Sequence, residues 1–154
     1  MSAANQIFSE AQRELLSAVL NRIIPGQGDR PGAGDLGVAS FVERVAAGAP
    51  GPTRLFNEGL NAINVAASKD HSGGFLAMPE EAKDDTLREI EAANPLFFDQ
   101  LVQQTYDGYY TDTRVFDVIG YNVPKPPVGG ARPKLLDESL LEKQRQRAPF
   151  WRRV

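Results

Sequence analysis

Few side chains in this sequence could carry out chemistry, and they do not cluster. The one histidine, His71, lies between Asp70 and Ser72 in a glycine-rich loop, where it could act as a general base. No cysteine or second histidine is present, and no group of carboxylates is spaced so as to complete a catalytic site around it. We therefore interpret His71 as an exposed loop residue rather than a catalytic one.

Two further patterns suggest a ligand site only superficially. The acidic pairs Glu80-Glu81 and Asp84-Asp85 fall on a predicted helix, and adjacent helical residues do not face each other, so a solvated face explains them better than a metal site. The glycines of residues 26–34 lack the spacing of a P-loop or a Rossmann turn, and no strand precedes them. We expect no catalytic, cofactor-binding or metal-binding residue in this chain.

Aromatic residues concentrate in one stretch. Seven of the thirteen aromatic side chains lie between Phe97 and Tyr121. Its later members could form a stacking platform for bases or sugars; they are Tyr106, Tyr109, Tyr110, Phe116 and Tyr121. The acidic body of the chain opposes nucleic acid. Because tyrosine combines apolar area with a polar tip, a role in the core and in a protein interface is the more economical interpretation.

The elements that must position these residues are helices. Apolar residues recur at helical spacing, and no stretch alternates like a strand. Ser9 and Gln12 form a capping box for a first helix, which Pro25 ends. Asp35 is predicted to cap a second helix, and Thr53 is predicted to begin a third after a Gly/Pro-rich break.

The aromatic stretch itself is predicted to be the fifth helix. Phe75 and Leu76 are expected to return to the core before Pro79 begins the fourth. Asn94 then caps the aromatic helix, and Pro95 suits its first position. Its apolar face comprises Phe97, Phe98, Leu101, Val102, Thr105 and Tyr109, and a short helical turn follows at residues 113–118. We predict an all-α fold for residues 1–121: a small bundle of about five helices joined by Gly/Pro-rich loops.

The composition changes after Tyr121. Residues 122–133 are rich in proline and glycine, which favours an extended chain, and a short helix is predicted from about Asp137 to Arg147. Residues 122–154 contain eight basic and three acidic side chains, a net charge of +5, so the remainder of the −3 chain carries −8. We predict that residues 122–154 form an extended, basic, Pro-rich arm that docks on a partner.

The sequence also bears on the compartment. The absence of cysteine excludes disulfides, thiolate zinc sites and thiol nucleophiles, and it suits a reducing compartment. Residues 1–6 have no positively charged or long apolar run. These features predict a cytoplasmic protein without membrane insertion; a periplasmic location is the alternative if a partner carries an export signal.

A series of short motifs resembles one known family. In order they are Asn21-Arg22-Ile23-Ile24-Pro25, Pro31-Gly32-Ala33, Gly37-Val38, Phe41-Val42, Gly59-Leu60, Phe75-Leu76, Phe97-Phe98, Leu101, Thr105, Gly108-Tyr109-Tyr110 and Gly120-Tyr121. This series resembles the gluconate 2-dehydrogenase subunit 3 family, the small subunits of flavin-dependent sugar and sugar-acid dehydrogenases. The resemblance covers roughly Phe8 to Tyr121. Many relatives carry a twin-arginine-type signal and cysteines, which this sequence lacks.

The resemblance implies a non-catalytic accessory subunit. Such subunits pair with a large flavoprotein of the glucose–methanol–choline type, which holds FAD and oxidises a sugar, sugar acid or other alcohol. The small subunit would stabilise the large one and aid its maturation, and it would bind no cofactor itself. The resemblance also allows a cytochrome or another electron acceptor as a further partner.

On this interpretation, the later tyrosines and the arm form the partner interface. The expected interface residues are Tyr106, Tyr109, Tyr110, Tyr121, Leu140, Leu141, Phe150 and Trp151. Two alternatives remain open at this point. One is a stand-alone helical protein that binds a ligand or catalyses a reaction through His71 and the tyrosines. The other is a nucleic-acid-binding module that uses the basic arm.

Overall fold

The helices of the chain follow the predicted order. The computed structural model describes residues 6–122 and 138–146, and these two ranges contain helices and loops but no named strand. The helices of the first range are α1 Glu10–Ile23, α2 Val38–Ala46, α3 Pro50–Asp70, α4 Gly74–Ala77, α5 Glu80–Ala93, α6 Pro95–Tyr110 and α7 Thr113–Ile119. The all-α prediction is confirmed for the described residues. Residues 6–122 contain seven helices instead of about five, because the short helices α4 and α7 add two.

Residues 138–146 belong to a separate unit. A 3-10 turn, Glu138–Leu141, leads into a one-turn helix, α8 Glu142–Arg145. Part of the short helix predicted for the arm is therefore present. Residues 123–137 and 147–154 lie outside the described residues, so the boundary at residue 121 and the extended form of the arm stay predictions.

The core of residues 6–122 is built from the apolar faces of the helices. Leu16 of α1, Leu60 of α3 and Leu101 of α6 are fully buried, and each of these three helices contacts several others. Every buried side-chain nitrogen or oxygen among the described residues has a hydrogen-bond partner, as favourable burial of polar groups requires. None of the described helices is both long enough and apolar enough to cross a membrane.

The second helix begins two residues later than predicted. α2 starts at Val38, and its preceding residue is Gly37, whose φ of +86° lies in the left-handed region. Asp35 does not cap the helix, because it is engaged by Asn21. The Asn21 amide donates to Asp35 Oδ1 at 3.0 Å, and Asn21 Oδ1 accepts from the N–H groups of Gly34 and Asp35. The prediction of an Asp35 cap was wrong, because a long-range partner overrides local capping.

The third helix begins three residues earlier than predicted. α3 starts at Pro50 and includes Pro52, so Thr53 lies inside its first turn. Prolines are tolerated there, since the first N–H groups of a helix have no intrahelical acceptor. The Thr53 hydroxyl hydrogen-bonds to the carbonyl groups of Ala46 and Ala49, which ties this start to the end of α2.

A single residue separates α5 from α6. Asn94 follows the last residue of α5 and precedes Pro95 of α6, and its side chain makes no capping hydrogen bond. The predicted apolar face of α6 is largely correct, with Phe97, Leu101, Thr105 and Tyr109 buried. Phe98 and Val102 are only half-buried, so this side of α6 borders a surface groove.

Two glycines let α6 approach its neighbours closely. A Cβ atom at Gly108 of α6 would lie 2.6 Å from Val38 Cγ1 and 2.9 Å from Phe41 Cδ1 of α2. A Cβ atom at Gly59 of α3 would lie 2.3 Å from the Phe97 ring of α6. All three distances are shorter than carbon contacts allow, so the helix spacing at these points requires glycine.

The chain before α1 is held by one carboxylate. Glu43 of α2 accepts hydrogen bonds from the N–H groups of Ile7 and Phe8, each at 3.0 Å, and from Arg13 at 2.8 and 3.2 Å. The hydrogen bond from Arg13, with help from the two backbone donors, lowers the pKa of Glu43 against the opposing effect of burial. The ionised form of Glu43 is therefore the form that fastens residues 7 and 8 to α2.

Substitution of Gly59 should destabilise the fold. We expect Gly59→Ala to lower the free energy of unfolding by about 1–3 kcal/mol, because the added methyl group overlaps the Phe97 ring. Gly51 lies in the same helix, and no atom lies within 4 Å of the position that its added methyl group would take. Gly51→Ala is therefore the matched control and should be neutral or stabilising by up to about 1 kcal/mol. Urea unfolding followed by circular dichroism measures both, and equal effects would contradict the packing argument.

Glu43 should make stability depend on pH. Because its pKa is lower in the folded chain, its contribution is complete above the unfolded value near 4.5 and is lost as pH falls through the folded value. Glu43→Gln should destabilise the protein by about 1–3 kcal/mol at pH 7 and flatten the loss of stability below the unfolded pKa. Thermal unfolding across that pH range measures the change.

The control for Glu43 is Glu89→Gln, which changes an exposed carboxylate that forms no ion pair within the described part of the chain. It should leave the thermal unfolding midpoint at neutral pH, and the loss of stability at acid pH, close to those of the parent. If stability fell equally steeply with acid pH in Glu43→Gln and in the parent, the proposed role of the ionised carboxylate would be refuted.

Candidate partner interface

The tyrosines of α6 form a connected chain that runs from the core to the surface. The Tyr109 hydroxyl donates a hydrogen bond of 2.9 Å to the Pro31 carbonyl oxygen, and the Tyr109 ring is buried. Tyr110 meets this ring edge-on at a centroid distance of 5.3 Å, and Tyr106 stacks on Tyr110 at 5.9 Å with an interplanar angle of 13°. Tyr106 and Tyr110 are 45% and 47% exposed, so two fixed rings lie at the surface.

The exposed rings continue a stripe along α6. Phe98, Val102, Tyr106 and Tyr110 recur every fourth residue and therefore lie along one side of the helix. The first three line a groove of about 340 Å³ between α6, α5 and the end of α1. Leu87 and Ile23 complete its apolar lining. We call this feature the α5–α6 groove.

Charged side chains form the opposite rim of the α5–α6 groove. Arg22 of α1 holds Asp84 of α5 through two hydrogen bonds of 2.7 and 2.8 Å, and it also contacts Glu80 at 3.1 Å. The Arg22 hydrogen bond lowers the pKa of Asp84, so the pair stays ionised. Arg88 and Glu91 follow on the same face of α5, and both are exposed.

A second aromatic patch lies at the end of α7. Phe116 and Tyr121 meet at a centroid distance of 5.1 Å and an interplanar angle of 66°. Val118 and Ile119 are exposed beside them, and Tyr121 is 52% exposed. Large apolar groups left exposed at the end of the helical unit are candidates for burial against another chain.

The predicted interface residues divide into three groups. Tyr106, Tyr110 and Tyr121 are exposed, and Leu141 of the 3-10 turn is exposed as well. Tyr109 is buried, so it belongs to the core and supports Tyr110 by ring contact. Its prediction as an interface residue was therefore wrong. The side chain of Leu140 and the whole of Phe150 and Trp151 lie outside what the structure describes.

One comparison assigns the chain. A sequence model of the family described as gluconate 2-dehydrogenase subunit 3 matches residues 10–124. The chain belongs to the gluconate 2-dehydrogenase subunit 3 family. No curated protein and no solved structure gives a match. The name of the family is that of a subunit in a dehydrogenase of several chains.

The motifs that resemble subunit 3 proteins meet one another in this structure. Asn21 fastens the loop at Gly34, the Pro31 carbonyl receives the Tyr109 hydroxyl, and Gly59 lies against Phe97. A Cβ atom at Gly34 would lie 2.0 Å from the Ser17 carbonyl oxygen, so this loop lies directly on α1. These subunit 3 motifs therefore fix the packing that holds the tyrosine chain in place.

Among the residues first considered for chemistry, Asp84 lines the α5–α6 groove, where it is paired with Arg22. His71 is half-buried at the end of α3, where its backbone N–H donates to the Ala67 carbonyl. The glycine-rich loop after α1 is occupied by its contacts with Asn21 and α1. Among the described residues, no group of three or more histidine, aspartate and glutamate side chains is placed to hold a metal ion.

Sequence reasoning missed the α5–α6 groove. Phe97, Phe98, Leu101 and Val102 fit one broad apolar stripe, so the sequence predicts that Phe98 and Val102 lie on the core face as well. The signal that could have found the groove is the strict four-residue repeat from Phe98 to Tyr110, which drifts away from the helical period of about 3.6. Such drift carries a stripe gradually from the buried side of a helix to its edge.

The Tyr109 hydroxyl should stabilise the subunit. We expect Tyr109→Phe to lower the free energy of unfolding by about 0.5–1.5 kcal/mol, because it removes the hydrogen bond to Pro31. Tyr106→Phe is the matched control, since its ring is exposed and its hydroxyl forms no hydrogen bond with the described residues. Chemical unfolding of the two variants measures the difference, and an equal loss in both would exclude a special role for the Tyr109 bond.

Proposed function

We propose that this chain is the non-catalytic accessory subunit of a heteromeric flavin-dependent oxidoreductase. The large subunit, of glucose–methanol–choline type, would hold FAD and transfer a hydride from a sugar, a sugar acid or another alcohol. The present chain would bind no cofactor itself. Its contribution would be to cover apolar surface on the large subunit and so stabilise it during maturation and in the finished complex.

The family match carries this proposal. A chain whose residues 10–124 match a family named as a subunit has its function in an assembly. The proposed partner and cofactor go further than that name, and they rest on what is expected of relatives of this family. The compartment of the chain would be that of its large subunit.

The exposed aromatic surface supports the same proposal. Tyrosine is enriched in the centres of protein interfaces, where a rigid ring gives apolar contact and its hydroxyl still finds a partner. Tyr106 and Tyr110 are already held by stacking, so binding would cost little further side-chain entropy. The second patch around Tyr121 would extend the covered area toward the ~2,000 Å² or more that permanent complexes bury.

Assembly with a flavoprotein is the central test. Affinity purification of the tagged chain from its native cells should yield a yellow complex whose second chain, identified by mass spectrometry, has glucose–methanol–choline-type sequence motifs. Expression of that large subunit with this chain should give soluble, FAD-loaded, active protein. Its expression alone should give much less, because apolar surface would remain uncovered.

The control for this test is co-expression with an unrelated helical protein of similar size, which should not restore the yield. Flavin absorbance per milligram and dehydrogenase activity are the measurements. A large subunit that is equally soluble, FAD-loaded and active without this chain would refute the accessory role.

A further inference from the structure

We propose that Arg44 of α2 binds an aspartate or glutamate carboxylate of the large subunit. This inference rests on the proposed function and adds the chemistry of one contact that the partner makes. It is carried by three observations: Arg44 lies where two surface cavities meet, its charge is not balanced by the described residues around it, and an aromatic ring holds it in place.

The two cavities share one face of α2. A cavity of about 280 Å³ lies between α2, the end of α6 and the start of α7. Another, of about 630 Å³, lies between α2 and α1. Ser40 and Arg44 line both cavities, and both residues are exposed. They are four positions apart, so they lie one turn apart on the same side of the helix. We call these two residues and the cavities that they line the Arg44 surface.

The charge of the Arg44 surface favours an acidic occupant. Among the described residues, three basic and two acidic side chains line the two cavities, a net charge of +1. Arg13 is paired with Glu43 at 2.8 Å, and Arg114 is paired with Asp112 at 2.7 Å. Arg44 forms no ion pair within the described part of the chain, so the excess charge is its own. The α5–α6 groove differs, because its two basic and two acidic side chains balance.

The packing of α2 against α6 holds Arg44 in place. Its guanidinium carbon lies 5.1 Å from the centroid of the Phe41 ring, so the side chain reaches back along α2 to the neighbour of Ser40. Phe41 itself packs on α6, where a Cβ atom at Gly108 would lie 2.9 Å from its Cδ1 atom. A guanidinium group that stacks by one face keeps the N–H groups of its edge available. A carboxylate could therefore bind without displacing the ring contact.

A carboxylate of a partner chain fits this surface better than a free anion. It accepts two parallel hydrogen bonds from a guanidinium edge, and the Ser40 hydroxyl one turn away can donate another. An exposed ion pair contributes only about 0–1 kcal/mol, so Arg44 alone would hold a small anion weakly. A carboxylate on the large subunit is brought to Arg44 by the rest of the interface and loses water together with it, which strengthens the pair.

Carbodiimide crosslinking of the assembled complex tests the location. Carbodiimide joins a lysine amine to a carboxylate in direct contact, with loss of water, and it does not join arginine. The complex of the full-length Arg44→Lys variant should therefore gain a crosslink from position 44 to an aspartate or glutamate of the large subunit, which mass spectrometry identifies. Lys69 is the internal control and should give no crosslink to that segment, because it is exposed near the far end of the 21-residue helix α3.

Charge reversal tests the chemistry by competition. The large subunit is co-expressed with equal amounts of the parent chain and one variant, and mass spectrometry measures their ratio in the purified complex. Arg44→Glu should be under-represented by roughly tenfold or more, because two carboxylates would repel each other. Arg44→Gln removes the charge without adding repulsion and should show a smaller deficit. Lys69→Glu makes the same change of charge elsewhere on the surface and should alter the ratio by less than about twofold.

The outcomes separate this inference from the proposed function. A complex that assembles, but in which position 44 reacts with no carboxylate of the large subunit, overturns the Arg44 contact and leaves the accessory role standing. Equal ratios for Arg44→Glu and Lys69→Glu likewise overturn it. Calorimetric titration of the isolated chain with inorganic phosphate should show no binding; binding that Arg44→Gln abolishes would assign the surface to a free anion instead. Failure to find any flavoprotein partner removes both proposals together.

Discussion

The outer surface of α6 depends on how closely its inner surface approaches two other helices. At Gly108 the helix meets Val38 and Phe41 of α2, and at Phe97 it meets Gly59 of α3, with no room for a methyl group at either glycine. Close contact over two regions fixes both the position and the rotation of α6. The rotation decides which residues are buried, so it also decides that Tyr106 and Tyr110 face outward.

The tyrosine chain extends this constraint to the surface. Tyr109 is held by a hydrogen bond to a residue 78 positions earlier in the sequence, Pro31. That bond lies beside the loop fastened by Asn21, so α1, the loop and α6 are connected at one end of the bundle. Tyr110 contacts the Tyr109 ring, and Tyr106 stacks on Tyr110. The buried Tyr109 therefore holds both exposed rings in place. A surface prepared in this way loses little freedom when a partner covers it.

The sequence predicted those features that depend on neighbouring residues. The capping box of Ser9 and Gln12 is present, and the break after α7 falls at Gly120 with its positive φ. The predicted starts of α2 and α3 were wrong because Asp35 and Thr53 have partners on other elements. Periodicity places Tyr109 on the apolar face of α6, but it does not reveal the hydrogen bond to Pro31 that keeps this tyrosine out of the partner surface. The α5–α6 groove needs both helices in place before it exists.

Asn94 alone joins α5, which carries most of the charged rim of the groove, to α6, which carries its aromatic stripe. Because one helical residue corresponds to a turn of about 100°, an inserted or deleted residue at this junction would set the register of α5 against the rotation of α6 that its glycine contacts fix. Substitutions along either helix keep that register, and so they can adjust the recognised surface stepwise. Side-chain substitutions could therefore change the recognised surface gradually. A change of length at the Asn94 junction would instead disrupt the whole surface at once.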